Sequence, residues 1–179
     1  MVYVMLADGF EEIEALAVVD ILRRGEVEVK TVSVYEQDKV NGAHGIAVVP
    51  DVAFSQIEKD AEMIVLPGGI PGTPNLQAHG ALAELLRDEN AKGTYIAAIC
   101  AAPMILGEMD FLQGKTATCY PSFEKHLKGA ICSTDKVRAD GNIITSRGAG
   151  TAHEFAFNLL SLLKGKDKSD EIRRAMLYD

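Results

Sequence analysis

The chain lacks most of the features that would place it outside the ordinary globular proteins. No apolar run approaches the ~20 residues that a membrane helix needs, so a spanning segment is not expected. No cluster of lysine and arginine interrupts the acidic balance of 18 basic against 26 acidic side chains, a net charge of −8. Such a surface repels phosphate backbones and argues against nucleic acid as a partner. Cysteine is scarce. Three residues, an odd number without metal-type spacing, do not make a disulfide framework in a chain this long. The first residues open directly on an apolar stretch, without the basic start and cleavage site of a signal peptide, and the expected compartment is the cytoplasm. Composition breaks, low-complexity tracts and internal repeats are also missing. With 179 residues, 47% hydrophobic and 25% charged, the chain is expected to form one domain over residues 1–179.

What is present is an alternation of short apolar, β-branched runs with longer helical patterns. Residues 2–7 read as a buried strand closed by a turn at Asp8-Gly9. A helix is expected over 11–24, stopped by Gly25, since glycine is common just past a helix end. Residues 27–34 alternate apolar and polar as a half-buried strand does, and a turn at Asn41-Gly42 leads to a short strand at 46–49. Residues 63–66 form the next core strand and run into Pro67-Gly68-Gly69. A helix at 80–90, a strand at 95–99, Cys100 and a helix to about residue 108 follow. Short strands are expected at 116–119, 130–133, 136–139 and 143–146, the last two paired across Asp140-Gly141-Asn142. A helix at 152–164 and a last one near 170–177 complete the chain. Continuously apolar strands separated by helices indicate a parallel sheet covered on both faces. The expected fold class is therefore α/β, a flavodoxin-like, doubly wound, mostly parallel sheet. Ligands of such sheets sit beyond the carboxyl ends of the strands, where residues 8–14, 67–72 and 100–103 should meet.

Cys100 is the sharpest chemical feature. It ends the strand Y-I-A-A-I and is followed at once by Ala101-Ala102-Pro103 and a helical pattern. A residue at a tight strand-to-helix turn points out of the sheet, the geometry of a nucleophile elbow. The helix start behind it presents unpaired N–H groups and favours thiolate over thiol. The competing reading is a buried core cysteine, the commonest fate of this residue type. Glu11, Glu12 and Glu14 occupy the first turn of the first helix, where the dipole favours acids. That account suffices for Glu11 and Glu12. Glu14 has Ala17, Val18 and Ile21 as its helical neighbours, and a carboxyl on an apolar stripe is expected to hold its proton and act as an acid/base partner. Gly68 and Gly69 let the backbone turn sharply and expose N–H groups, as an oxyanion site requires, or simply form a tight turn.

The remaining candidates are weaker. The histidines, His44, His79, His126 and His153, are scattered, no pair has helical metal-ligand spacing, and no metal site is expected. His79 and His126 should face solvent; His44, in a glycine-rich turn, and His153 are candidates to border a pocket. Cys119 and Tyr120, at the end of a strand, could approach Cys100, with the phenol donating to an oxyanion or filling space. Cys132 reads as structural. Arg147 falls in a glycine-rich turn that Thr151 should cap, and its stronger reading is also structural. The acidic first loop, A-D-G-F-E-E, argues against FMN despite the fold, and no cofactor is expected.

Taken in order, E-E-I-E (11–14), V-L-P-G-G (65–69), A-A-I-C-A (97–101) and T-S-R-G-A-G-T (145–151) resemble the ThiJ/PfpI superfamily, and within it the bacterial branch of the Parkinson-disease protein deglycase-like subfamily. The resemblance spans about residues 2–165. It implies a homodimer with a reactive cysteine at Cys100, a protonated glutamate at Glu14, and oxyanion-binding N–H groups at Gly69 and Ala101. Family activities include cofactor-free conversion of methylglyoxal to lactate, removal of early glyoxal adducts, and a redox-sensing or chaperone role. Two positions depart from family patterns. Human-type members carry a histidine where this chain has Tyr120, and the intracellular-protease branch has a histidine directly after its cysteine, where this chain has Ala101. Proteolysis is therefore not expected. The reading that results is a cysteine-dependent enzyme acting on a small aldehyde or glycated substrate, with a non-enzymatic oxidation sensor or redox-regulated chaperone as the alternative.

Overall fold

The computed structural model describes residues 1–58 and 60–178. In chain order the elements are β1 (Val2–Leu6), α1 (Glu12–Arg24), β2 (Val29–Ser33), β3 (Val40–Asn41), β4 (Ala47–Val48), β5 (Val52–Ala53), β6 (Met63–Leu66), α2 (Gly72–Ala78), α3 (Gly80–Lys92), β7 (Tyr95–Ile99), α4 (Pro103–Glu108), β8 (Thr116–Ala117), β9 (Ile131–Cys132), β10 (Val137–Asp140), β11 (Ile143–Ser146), α5 (Ala152–Lys164) and α6 (Lys166–Ala175).

β1 carries side chains to both faces of the sheet, because successive residues of a strand point to opposite sides. Val2, Val4 and Leu6 meet Val18, Ile21 and Leu22 of α1 and Phe155, Ala156 and Leu159 of α5. Tyr3, Met5 and Ala7 meet Leu82 and Leu86 of α3 and Ile105 and Leu106 of α4 on the other face. Each of the fully buried aliphatic side chains contributes roughly 1.5–3 kcal/mol relative to its exposed state. Both faces of a strand can be apolar only when helices cover both, and the sheet order follows: β10-β11-β7-β6-β1-β2-β5. Every pairing is parallel except the antiparallel β10–β11 edge. This is the doubly wound α/β architecture, with α1 and α5 on one layer and α3 and α4 on the other. The carboxyl ends of β1, β6 and β7 adjoin at its centre, which places the loops after Leu6, Leu66 and Ile99 side by side.

Several expected elements are shorter or differently placed. Residues 116–119 and 130–133 supply only the two-residue pair β8–β9, a small separate sheet. The strand expected at 46–49 is the two-residue β4, paired with β3 as a hairpin. α2 was not expected from Gly72-Thr-Pro-Asn, whose residues are poor helix formers, and α6 starts at Lys166 rather than near 170. Among the described residues no helix is long and apolar enough to cross a membrane.

Candidate active site

Cys100 sits immediately after β7 with φ at +65°, in the left-handed region that non-glycine residues seldom occupy. Such a conformation costs on the order of 1–3 kcal/mol and persists where surrounding bonds impose it. Here its N–H donates to the Ser146 carbonyl at 3.0 Å, and its own carbonyl accepts from the Tyr120 N–H at 2.8 Å. The side chain is half-buried rather than lost among aliphatic groups.

Glu14 reaches the same point from α1. Its carboxyl is 1% exposed. Oε2 accepts from the Gly68 N–H at 2.8 Å, whereas Oε1 is buried without a hydrogen-bond partner. Gly68 is the hinge of this convergence. A Cβ there would lie 2.5 Å from Cys100 Cβ and 2.7 Å from Glu14 Oε2, so any other residue would push the two apart. Gly69 follows with φ at +96° and packs on the backbone of residues 9–11.

Electrostatics couples the pair. Burial raises the Glu14 carboxyl to about 7, against the Gly68 hydrogen bond and the contact with Cys100, which pull it down. Burial also pushes the Cys100 thiol up to about 12, helped by the charge and hydrogen bonding of Glu14, while the N–H groups of Ala101 and Gly69 pull it down. The helix start behind Cys100 therefore does not by itself ionise the thiol, contrary to the sequence expectation. α4 is only six residues long, and the sulfur faces a carboxylate whenever Glu14 is charged. Two of the three upward influences on the thiol belong to Glu14 and vanish when that carboxyl takes a proton. Near neutral pH the thiol therefore keeps its proton, held first by burial, while the carboxyl is about half protonated and stands ready to take or give one.

The other candidates separate. Gly69 and Ala101 do direct their N–H groups at the Cys100 sulfur. Tyr120, half-exposed at 50%, borders the same space, since a Cβ built at Gly148 would lie 3.2 Å from its ring and 3.9 Å from Cys100 Sγ. Cys119 is 1% exposed and its thiol is pushed up to about 12 by burial; the groups that act on it are Glu124, Cys132 and Arg147, not Cys100. Cys132 is exposed on β9 rather than packed inside. Thr151 precedes α5 as expected, but its hydroxyl bridges Ser146 and Gly148 instead of capping the helix.

His44 is 68% exposed and does not line the sulfur site. Its Nδ1 lies 2.8 Å from Glu12 Oε2, its N–H donates to Glu12 Oε1 at 2.7 Å, and Ile46 N–H reaches the same oxygen at 3.4 Å. Glu12, taken from sequence as a dipole residue, is instead a buried anchor for the β3–β4 turn. Burial pushes its carboxyl up, but these donors outweigh that and hold it below its usual range. Glu11, Glu12 and His44 are also the one group among the described residues whose ligand atoms, all within 4.8 Å of one another, could converge on a cation. Glu12 already accepts from three donors, so the cluster is complete as an ion pair. The other imidazoles are engaged elsewhere. His79 caps α3 by accepting from Leu82 N–H, His126 lies 3.3 Å from Glu108, and His153 stacks on Tyr178.

The model of the DJ-1/PfpI family matches residues 1–162. The chain belongs to that family. It is 41% identical to DJ-1 homolog A of Arabidopsis thaliana over 98% of its length, yet covers 46% of that relative, and so spans about half of it. It is 32% identical to a glutathione-independent glyoxalase, DJR-1.2, of Caenorhabditis elegans, over 93% of this chain and 89% of that one. Among solved structures, oxidised DJ-1 of Toxoplasma gondii superposes with a TM-score of 0.95 at 35% identity, over 99% of this chain and 97% of the other.

Proposed function

We propose that the chain is a cysteine-dependent, cofactor-free enzyme for reactive carbonyls, converting methylglyoxal to lactate or removing early glyoxal adducts. The observation that carries this reading is a half-buried sulfur at a strained strand end, beside a buried carboxyl that holds a proton near neutral pH. Glu14 as carboxylate takes the thiol proton as the Cys100 sulfur adds to the aldehyde carbon; the carbonyl electron pair moves to oxygen, which then takes that proton from Glu14 and gives a hemithioacetal. Glu14, now a carboxylate, removes the proton from that carbon and returns it to the neighbouring carbon through an enediol, leaving a thioester. Water then attacks the thioester, the S–C bond breaks, and lactate leaves with the sulfur restored. The N–H groups of Gly69 and Ala101 steady the oxygen while it is negative. None of these steps needs a cofactor or a histidine. A carboxyl at about 7 is matched to both halves of the proton transfer near neutrality.

The kinetics of methylglyoxal consumption, measured on protein free of small thiols, test this. Cys100→Ala should abolish turnover. Glu14→Gln should lower it by roughly 10²–10⁴-fold, the usual worth of a general acid/base, while leaving the thiol open to alkylation. A Cys100→Ala protein as fast as the parent would end the reading.

A second reading uses the same sulfur as an oxidation sensor or redox-regulated chaperone. The unpartnered Glu14 Oε1 favours it, because a protonated carboxyl there can donate to a sulfinate on Cys100. Two added oxygens confined to Cys100 after mild peroxide, with negligible aldehyde turnover, would decide for the sensor. Under either reading the protein acts as a homodimer. The apolar residues left exposed on α1 and the neighbouring β3–β4 hairpin supply the pairing face.

A further inference from the structure

Arg147 lies in the loop between β11 and α5. Two arginines are half-buried, Arg147 and Arg173. Arg173 pairs with Glu154 at 2.9 Å and lies over the Phe157 ring. Among the described residues the Arg147 guanidinium has neither an ion pair nor a hydrogen bond, although the chain carries an excess of eight negative charges. Glu124, the carboxylate that acts on neighbouring Cys119, makes no ion pair with it. Arg147 instead lines a cavity of about 300 Å³ together with Tyr120, Pro121, Gly148, Gly150 and Thr151. That cavity adjoins the nucleophile through Gly148, which lines it and at which a Cβ would stand 3.9 Å from Cys100 Sγ. A guanidinium on a partly buried side chain that lines a cavity and has no acceptor of its own is poised for an anion, and its planar fork fits carboxylate and phosphate oxygens in pairs.

We propose that Arg147 and this cavity form an anion subsite beside Cys100, which selects carbonyl substrates bearing a carboxylate or phosphate group. The neighbouring glycines leave the loop backbone open to such a group, and the Ser146–Thr151–Gly148 hydrogen bonds hold the loop in place. The inference rests on the reading of Cys100 as the reacting group, but its test does not need aldehyde turnover.

The test is alkylation of Cys100 by two reagents of like shape, iodoacetate and iodoacetamide, followed by mass analysis of the Cys100 peptide so that Cys119 and Cys132 do not contribute. The readout is the ratio of the two rates, in which the intrinsic reactivity of the sulfur cancels. Arg147→Gln should lower the iodoacetate-to-iodoacetamide ratio at least about tenfold, the scale of one charge-assisted hydrogen bond, and Arg147→Lys should keep most of it. Inorganic phosphate or acetate added to the parent should remove the preference in a saturable way, and the more effective of the two identifies the anion. An unchanged ratio in Arg147→Gln, or a preference in the parent that neither anion touches, overturns the subsite. Failure of Cys100→Ala to stop methylglyoxal consumption would overturn the proposed chemistry alone.

Discussion

At the scale of single residues the site depends on one proton and one missing methyl group. Glu14 gains affinity for its proton on folding, from an ordinary 4.5 to about 7. A group whose proton affinity rises on folding contributes stability that is complete below about pH 4.5 and is lost as the pH climbs through about 7. Denaturant unfolding of the parent should therefore weaken over that window relative to Glu14→Gln, by a few kcal/mol at most. Parallel pH profiles for the two proteins would show that the carboxyl is ordinary. Gly68 supplies the missing methyl. Gly68→Ala places a Cβ 2.5 Å from Cys100 Cβ and 2.7 Å from Glu14 Oε2, and neither the strand end nor the buried carboxyl has room to retreat. The expected cost is roughly 1–3 kcal/mol in unfolding free energy, with a larger relative loss of aldehyde turnover because the proton donor is displaced. A variant that turns over methylglyoxal like the parent would show that the Glu14–Cys100 spacing is not critical. The sequence exposes Cys100 and Glu14 because each contradicts its surroundings, a thiol at a turn of small residues and an acid on an apolar stripe. Their mutual effect on protonation was not legible. It arises from a contact between residues 86 positions apart in the chain, which no local pattern encodes.

At the scale of elements, the long parallel strands and the helices between them were readable because burial on both faces leaves continuous apolar runs, as in V-Y-V-M-L. The shortest pieces were legible only in part: β5 was not expected, and β8, expected over 116–119, ends after Ala117. β5 and β8 are two residues each and exist only through their partners, Val32 and Ser33 in one case and Ile131 and Cys132 in the other. Glu12 was misread for a related reason. Its helix position is a sufficient account locally, and the turn that it holds lies 32 residues away. That anchor makes a prediction. Glu12→Ala removes the acceptor for His44 N–H, His44 Nδ1 and Ile46 N–H at once, and unmet donors of this kind cost roughly 1–3 kcal/mol. Hydrogen exchange should accelerate at residues 40–48 while β1, β6 and β7 keep their protection. Uniform acceleration across the sheet would show that Glu12 supports the core rather than the hairpin.

At the scale of the whole molecule, the surface is acidic except where it is oily. Ile13 (52% exposed), Leu16 (36%), Ile46 (56%) and Val49 (68%) lie on α1 and on or beside the hairpin that Glu12 ties to it. An apolar patch on two tied elements is a surface that association would cover, whereas isolated exposed residues need no explanation. α1 then serves two layers at once. Its inner side presents Glu14 to Cys100 and its outer side leaves Ile13 and Leu16 exposed, so pairing over that side would brace the helix that carries the proton. Light scattering on the eluted protein should give a mass twice the 19.3 kDa of the chain. Ile13→Asp and Val49→Asp should each shift that mass to the monomer, because a charge buried without a partner costs more than such an interface returns. Leu177→Asp, at a residue 89% exposed near the other end of the chain, should leave the dimer intact. A parent that elutes as a monomer at micromolar concentration, or the same mass for all four proteins, would remove the pairing face. If the dimer does form, the monomeric variants should also lose aldehyde turnover more than they lose Cys100 alkylation, since the sulfur stays in place while the helix holding Glu14 is freed.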